Sequence, residues 1–320
     1  MSRLIKNTVV TAKAETVTGQ DAAPTGAANA VLISDVSITP LEAQNISRPL
    51  IRGYFGGSEQ LVGPANVKLS YTVELAGSGT AGTAPSWGQL LLGCAVAEGT
   101  LASPARVEYV PMSTGLKSLT QYYYDDGVVH KLLGSMGNCT LSAKVGDRPV
   151  LRFEWTGLDG GVAAVSNAVP VYTPWKKPVA MTKANVIDIT FGATYAAGAL
   201  TGGELHSSTG LELNFGNVVN FTPMLSTETV DISDRESTAT LELELTAEQE
   251  VAFMAKVKAN ETQSLGFTIG TAAGNKIIVF VRAAQLINPR KSELNGKRMI
   301  GFDLRLVPVN GNDEWLIVAL

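Results

Sequence analysis

A glycine-rich segment has the spacing of a known ligand-binding motif. Gly77-Ser78-Gly79-Thr80-Ala81-Gly82 matches GxGxxG, in which backbone N–H groups approach a dinucleotide pyrophosphate, and Glu98 lies near the distance expected of a ribose-binding acid. However, the helix predicted after it begins only beyond Thr83-Ala84-Pro85, so its N-terminus would not face the phosphates. The preceding strand is also amphipathic, whereas the first strand of a dinucleotide-binding sheet is usually buried on both faces. We therefore interpret the segment as a flexible loop.

Histidines and cysteines are too few and too scattered for a metal site or a nucleophilic centre. His130 and His206 are the only histidines, and neither belongs to an HxH or HExxH pattern. Cys94 and Cys139 are the only cysteines, which is too few for a disulfide framework or a zinc site. We expect both to be buried free thiols in a reducing cytoplasm.

The remaining candidates for chemistry have structural interpretations. Asp125-Asp126-Gly127 resembles a paired carboxylate, but it is also typical of a hairpin turn. Tyr122-Tyr123-Tyr124 lacks the interleaved Lys and Arg of a base-stacking surface. Glu242 and Glu244 alternate along a strand and are expected on a solvated face. The sequence thus predicts no catalytic residue, no cofactor and no metal, and the chain is not expected to be an enzyme.

Length and charge narrow the class of protein. A chain of 320 residues suits two domains of about 150 residues each. The net charge of −4 argues against tight nucleic-acid binding, which needs clustered Lys and Arg. No apolar stretch suggests a signal peptide at the N-terminus, and no run approaches the ~18 apolar residues of a membrane span. We expect no membrane insertion.

The order of motifs and predicted strands repeats along the chain more clearly than the amino-acid identities do. Thr39-Pro40 is followed by Ile46-Ser47-Arg48, and far downstream Thr222-Pro223 is followed by Ile232-Ser233-Asp234-Arg235. An alternating strand comes after each block, over 67–75 in the first half and 240–245 in the second. We interpret the two blocks as parts of a duplicated unit.

A helix with a capping box is predicted after each strand. Ser86 with Gln89 and Thr246 with Gln249 have the spacing at which side chains satisfy free N–H groups of the first turn. These pairs predict helices over 86–97 and 247–258. With hairpins predicted over 121–133, 139–156 and 265–286, strands outnumber helices. The fold class is therefore mainly β, with two tandem sandwich- or barrel-like modules over 1–180 and 181–320, each flanked by one helix.

The first half of the chain resembles the tail tube proteins of long-tailed bacteriophages. The resemblance covers about residues 10–160, and its most specific part is GSGTAGTAPSWGQLL over 77–91. The segments 15–30, 38–40 and 48–52 also contribute to it. In that family a β-sandwich flanked by a helix contributes strands to the inner β-barrel of a ring, and stacked rings form a hollow tube. Most members have one such domain and form hexameric rings, whereas the repeat predicts two domains in this chain, which favours a trimer with pseudo-sixfold symmetry.

The resemblance also implies a location and partners. It implies a structural subunit of the virion tail that assembles in the host cytoplasm and associates with further copies of itself. A tape measure protein, a tail terminator and distal tail proteins are the other implied partners, and double-stranded DNA would pass through the tube without specific binding. The alternative is a β-sandwich binding or adhesion module of a virion or cell surface, which exposed aromatic residues on loops would favour.

Two sets of residues are candidates for these roles. Alternation gives the strands polar faces that we expect to line the lumen, where acidic and neutral groups would repel phosphates; the candidates are Lys68, Ser70, Thr72, Glu74, Thr240, Glu242 and Glu244. Flexible or terminal segments are expected to contact adjacent rings or subunits; the candidates are Gly77, Gly79, Gly82, Trp315, Leu316 and Leu320. The segment 314–320 is apolar for a chain end, so something should cover it.

Overall fold

β-Strands dominate the protein, and its helices are few and short. The computed structural model describes residues 2–320. That range contains three α-helices, α1 (Gly26–Asn29), α2 (Gly88–Leu92) and α3 (Ala247–Lys258), and a 3-10 turn at Ile5–Asn7. The mainly β fold class predicted from the alternating sequence patterns is confirmed.

Nine strands lie in the first half, and two of them, β8 and β9, are unusually long. The nine are β1 (Thr8–Ala14), β2 (Ala30–Val31), β3 (Ser34–Ile46), β4 (Leu61–Glu74), β5 (Val96–Ala102), β6 (Ala105–Pro111), β7 (Leu119–Asp125), β8 (Val128–Lys144) and β9 (Val150–Ala164).

Twelve strands follow in the second half, where β19 is the longest. They are β10 (Val186–Phe191), β11 (Thr194–Ala196), β12 (Ala199–Thr201), β13 (Glu204–Leu205), β14 (Ser207–Asn214), β15 (Asn217–Pro223), β16 (Glu228–Arg235), β17 (Thr238–Glu244), β18 (Thr262–Ile269), β19 (Ile277–Leu294), β20 (Lys297–Leu306) and β21 (Leu316–Ala319).

The two halves share one strand order. In the first half the hydrogen-bonded neighbours run β1, β7, β8, β9, β4, β3. In the second half they run β10, β18, β19, β20, β17, β14. Helix α2 follows β4 in the chain, and α3 follows β17, which holds the same place in the order. The halves are therefore topological copies of each other.

Two pairings join the halves. Strand β14 of the second half pairs antiparallel with the end of β8, with Leu213 opposite Leu141. Strand β21, near the end of the chain, lies between β19 and β6, with Ile317 opposite Tyr109. As a result one 17-stranded sheet and one continuous apolar core run through both halves.

Alternating side chains build this core in the same way on both sides. Leu69, Tyr71 and Val73 of β4 are buried, and polar residues separate them in the sequence. Opposite them, the rings of Phe153 and Trp155 of β9 stack with centroids 5.5 Å apart. Such alternation is expected where one face of a sheet packs on a core and the other is polar.

The predicted hairpins are present, although their strands are longer than predicted. Strands β7 and β8 pair on either side of Asp125-Asp126-Gly127, with positive φ at Asp126 (43°) and Gly127 (98°), as in a tight hairpin turn. Strands β8 and β9 form the hairpin predicted over 139–156, and β18 and β19 the one predicted over 265–286.

Only one of the two predicted capping boxes forms. In α3 the Thr246 hydroxyl accepts from Gln249 N, and the Gln249 side chain accepts from Thr246 N. In contrast, α2 is one short turn that begins at Gly88 without a side-chain cap, so the predictions of a Ser86 cap and a helix over 86–97 were wrong. The chain turns at Ala95, whose φ of 56° is not helical, and enters β5 at Val96, so the helix cannot continue to residue 97.

The two matching Thr-Pro dipeptides do not lie at equivalent positions of the two halves. Thr39-Pro40 lies within β3, with Thr39 opposite Lys68 of β4. Thr222-Pro223 instead ends β15, opposite Glu228 and Thr229 of β16. The duplication is thus real at the level of strand order, while the matching dipeptides sit in different parts of their hairpins.

Candidate functional site: a polar sheet face between two open edges

Eight strands form one continuous sheet across both halves, in the order β3, β4, β9, β8, β14, β17, β20, β19. Directly opposed residues on neighbouring strands share a face. Ser70 lies opposite Glu154, Ser142 opposite Glu212, and Glu212 opposite Thr240, so one polar face crosses the junction between the halves. All seven residues predicted to line a lumen lie on this face. They are Lys68, Ser70, Thr72 and Glu74 on β4, and Thr240, Glu242 and Glu244 on β17.

Exposure differs among these residues. Lys68, Thr240 and Glu244 are exposed, and Ser70, Glu74 and Glu242 are half-buried. Thr72 is buried, at 7% exposure, between its cross-strand neighbours Ser34 and Arg152, so in a single chain it contributes little to the surface of this face. Alternation predicted its face but not its burial, because it cannot show how closely neighbouring side chains cover a small residue.

The charge on the face is balanced, which corrects the expectation of an acidic and neutral surface. Cations from neighbouring strands, and Arg148 from the connection between β8 and β9, pair with the carboxylates. The ion pairs are Lys144–Glu212 (2.7 Å), Arg290–Asp303 (2.6 Å), Lys297–Glu244 (2.9 Å), Arg148–Glu74 (3.3 Å) and Lys68–Glu42 (2.6 Å). Exposed pairs of this kind contribute only about 0–1 kcal/mol to stability each. Their effect on the surface is to leave little net field, so a phosphate backbone would be neither held strongly nor repelled strongly.

The Arg290–Asp303 pair is the best aligned of these. Two guanidinium nitrogens of Arg290 donate to the two carboxylate oxygens of Asp303, and Asn288 donates to one of the same oxygens. The bonds from Arg290 lower the pKa of Asp303, and the same bonds raise the pKa of Arg290. The pair therefore stays ionised at neutral pH.

Both ends of the eight-stranded sheet are open. Within residues 2–320, β3 pairs only with β4, and no strand covers its other side. The second half of β19, beyond Gln285, pairs with β20 on one side and has no strand on the side that β18 occupies earlier. An unpaired edge presents free N–H and C=O groups to another strand. Within the described chain the sheet does not close into a barrel.

A long apolar arm extends from the β3 edge, and the sequence reasoning did not identify it. The arm, defined as residues 40–65, comprises the ends of β3 and β4 and the connection between them. Ile51 and Phe55 near its tip are fully exposed, and Tyr54 is 71% exposed. The segment RPLIRGYFGG contained the signal, since its apolar residues have neither strand nor helix spacing and lie among glycines. Several exposed apolar side chains close together along the chain are typical of an interaction surface.

The predicted contact residues of the glycine loop turn inward, toward the second half of the same chain. Gly77 N donates to Asn275 Oδ1 (3.0 Å) and Gly79 N to Gly274 O (2.8 Å). A Cβ on Gly77 would lie 2.1 Å from Gly274 O, so this close approach requires glycine. Gly77 is buried, whereas Gly79 is exposed and Gly82 half-buried. Because these N–H groups have partners, the loop has no free cradle for a phosphate.

The apolar end of the chain is also used internally. Trp315 is 1% exposed, stacks on Phe215 with centroids 4.1 Å apart, and donates from Nε1 to Ser237 Oγ. Leu316 begins β21, and Leu316 and Leu320 are half-buried. The prediction that something covers this segment is confirmed, but the cover is the protein's own sheet. Trp315 therefore has no surface to offer a neighbouring ring.

The residues considered for chemistry have structural roles. His206 packs edge-on against Phe191 and Phe253, and burial lowers its pKa, while Glu204 and Asp188 oppose that shift. Asp126 accepts from Leu4 N and Asn7 Nδ2 and so fastens the N-terminal segment.

The buried tyrosines and cysteines complete this account. Tyr122 and Tyr123 are buried, and the Tyr122 hydroxyl donates to Asp21. Cys94 and Cys139 are buried free thiols whose pKa values are raised by burial. Among residues 2–320 no cluster of three or more His, Cys, Asp or Glu side chains could hold a metal ion.

Comparison with known proteins identifies a family for the chain. No helix in the described range is long and apolar enough to cross a membrane. No curated protein matches the sequence significantly. The model of the phage tail tube protein family matches residues 6–310, which is nearly the whole chain and extends well beyond the first half that carries the motif resemblance. On this match, and with a mainly β fold, the chain belongs to the phage tail tube protein family.

Proposed function

We propose that this protein self-assembles into stacked rings of three chains, which form the hollow tube of a long-tailed phage and conduct the genome during ejection into the host. The observation that carries the proposal is the shared strand order of the two halves within one sheet that ends in two open edges. Each chain then supplies two equivalent units, 1–180 and 181–320, and three chains supply six. An inner barrel completed by neighbouring chains would remove the open edges.

The polar face of the eight-stranded sheet is proposed to line the lumen. Its charges are balanced by ion pairs, so DNA would slide past without a strong field to hold it. Of the predicted lumen residues, Lys68, Thr240 and Glu244 are the most exposed on that face. The opposite face packs on the core and cannot serve this purpose.

Stacking and tail assembly follow from the same proposal. Gly79, Gly82, Leu316 and Leu320 retain exposed surface and are the remaining candidates for contact between rings or subunits. Within the virion tail, the tube would surround a tape measure protein and end on terminator and distal tail proteins. Assembly would take place in the host cytoplasm.

Electron microscopy of the purified protein, combined with mass measurement of dissociated rings, tests the proposal. We expect hollow tubes whose rings contain three chains. Rings of six chains would retain the tube role and remove the pseudo-sixfold arrangement. A monomer that never polymerises at high concentration would contradict the proposal. That outcome would favour a surface binding or adhesion module, for which the exposed aromatic rings of Tyr54 and Phe55 on the arm would be the contact surface.

A further inference from the structure

The junction between the two halves shows how one unit binds the next. At this internal joint, residues 210–214 of β14 pair antiparallel with residues 140–144 of β8. Ser142 lies opposite Glu212, and Lys144 forms an ion pair with Glu212 at 2.7 Å. On the same edge of β8, strand β7 pairs only as far as Ser135, and β14 pairs with the part of β8 that follows.

Strand β3 is the counterpart of β14. Each has a bulge against its neighbour, between Ser34 and Ser37 in β3 and between Ser208 and Leu211 in β14. Each bulge contains a residue with positive φ, Asp35 (50°) in one and Gly210 (128°) in the other. Three residues later, Ile38 lies opposite Leu69 and Leu213 lies opposite Ala239. Counting from the positive-φ residues, which also matches the core-facing Ile38 to the core-facing Leu213, makes 35–39 equivalent to 210–214.

Strand β19 is the counterpart of β8, and its register follows from the strands beside it. Val73, Leu151 and Leu141 lie in one row across β4, β9 and β8. Leu243, Ile300 and Lys291 lie in the corresponding row across β17, β20 and β19. Leu141 is therefore equivalent to Lys291 and Ser142 to Ser292, so 140–144 correspond to 290–294.

We propose that neighbouring chains of a ring join by antiparallel pairing of β3 residues 35–39 with β19 residues 290–294, in the register of the internal joint. Ser37 of one chain then lies opposite Ser292 of the next, and Thr39 lies opposite Arg290. The inference rests on the proposed ring and specifies its interface. A contact between two different edges is head-to-tail, and it closes a ring when the rotation per chain allows.

Burial of equivalent residues shows that the β3 edge is incomplete. At the internal joint Leu211 and Leu213 are buried, at 1% and 0% exposure. Their equivalents Val36 and Ile38 point toward the same core but are only half-buried. The difference is the missing strand, because β8 covers the first pair and nothing in the described chain covers the second.

The arm is independent evidence that the strand beside β3 comes from a second copy of this chain. The second half has its own hairpin, β15–β16, at the position of the arm, and it packs against β8 and β9 next to the internal joint. Its residue Val230 is 1% exposed. By equivalence the arm would lie over β19 and β20 of the neighbouring chain, which would cover apolar side chains that a single chain leaves in water.

Cysteine pairs test the register. The double variant Ser37→Cys, Ser292→Cys should form disulfides between chains in assembled tubes under mild oxidation, with a ladder that ends at three chains on a non-reducing gel. The matched positive control is Ser142→Cys, Glu212→Cys, which should form the equivalent disulfide within one chain. Ser37→Cys with Glu293→Cys is the negative control, since Glu293 lies one residue away and on the opposite face. Cys94 and Cys139 are buried and should stay reduced.

The outcomes separate this inference from the proposed function. Tubes without an intermolecular disulfide at 37 and 292, when the internal control forms, would overturn the pairing and leave the tube role intact. Failure of the unmodified protein to form rings would overturn both. If the cysteine variant does not assemble, hydrogen exchange of the unmodified protein decides. Amides in 35–39 and 290–294 should become protected on assembly, and unchanged exchange in both segments would contradict the pairing.

Discussion

The internal joint and the open edges contain equivalent strands in two different states. At the joint, β14 and β8 are paired, and the side chains facing the core are buried. At the edges, β3 has a bulge and a neighbour like those of β14, and the end of β19 pairs with β20 as β8 pairs with β9, but each lacks a partner strand on its other side. A single chain therefore contains one paired joint and two unpaired strands equivalent to it, and the proposed ring interface would pair those two strands between neighbouring chains.

The internal joint also has further contacts between the two halves that the open edges lack. The hairpin β5–β6 exists only in the first half, and β6 pairs with β21 of the second half. Arg235 of the second half donates to Met112 O of the first half, and a nearly buried ion pair with Glu314 of its own half orients the guanidinium. These contacts add to the strand pairing at the joint, and the two open edges have no equivalent of them within the described residues.

Among the predicted effects, the largest should come from replacing a core-facing residue with alanine at the internal joint and at the β3 edge, measured as a change in the free energy of unfolding. Leu213→Ala should lower the free energy of unfolding of the unassembled protein by about 2–5 kcal/mol, because it leaves a cavity at a fully buried position. Ile38→Ala should cost roughly half as much, because only part of the side chain has left water. Urea denaturation in the same buffer measures both values. Equal costs would mean that β3 is already covered in a single chain.

The exposed arm should matter for assembly and little for folding. Replacing Ile51 and Phe55 together with serine should change the free energy of unfolding by less than about 0.5 kcal/mol, because both side chains are fully exposed. If both become buried against a neighbour, their loss should raise the critical concentration for tube formation at least about tenfold, which corresponds to 1.4 kcal/mol. Light scattering across a concentration series measures this.

A control variant keeps that test specific. Val17→Ser changes another exposed apolar residue, far from the arm in sequence, and should leave the critical concentration unchanged. If the control and the arm variant shift it equally, general surface polarity explains the result and the arm is not an interface.

Sequence reasoning recovered the local parts of this comparison and missed the long-range ones. Alternation, turn residues and the Thr246 cap are local signals, and they predicted the hairpins, the polar face and α3 correctly. Nothing local shows that β14 will pair with β8 or that β21 will lie between β6 and β19, because any alternating strand can serve as a neighbour. For the same reason, the apolar residues 314–320 predicted burial correctly but could not identify what buries them.

For the candidate site, the sequence predicted which residues share a face but not the charge balance of that face. The seven candidate lumen residues share a face because strand periodicity alone determines the face. The balance of charge on it was not predictable, because the cations come from β8, β19 and other strands whose proximity depends on the fold. A helix forms where Ser86 and Gln89 predicted one, but it is shorter and lacks the predicted cap, because the chain turns at Ala95 and continues as a strand.

The two helices give a smaller contrast between the halves. Thr246→Ala should lower the free energy of unfolding by about 1 kcal/mol, because the Thr246 hydroxyl caps a free N–H at the start of α3. Ser86→Ala should be nearly neutral, because α2 begins without a side-chain cap. Thermal or urea unfolding of the two variants measures the difference. A cost for Ser86→Ala equal to that for Thr246→Ala would show that Ser86 caps α2 in solution.

A pH effect confined to the second half should be the smallest. Burial lowers the pKa of His206, against the opposing influence of Glu204 and Asp188, and Lys256 lowers it further. A base whose pKa is lower in the folded state contributes stability that is fully present above its unfolded pKa of about 6.5. That contribution is lost as the pH falls through the folded pKa, because the unfolded chain then binds the proton more readily.

Stability should therefore decline on acidification below about pH 6.5, and His206→Gln should reduce that decline by less than the cost of Thr246→Ala. His130→Gln removes the histidine of the first half and serves as the matched control. An unchanged pH profile in His206→Gln would show that carboxylates, and not this imidazole, set the acid sensitivity of the second half.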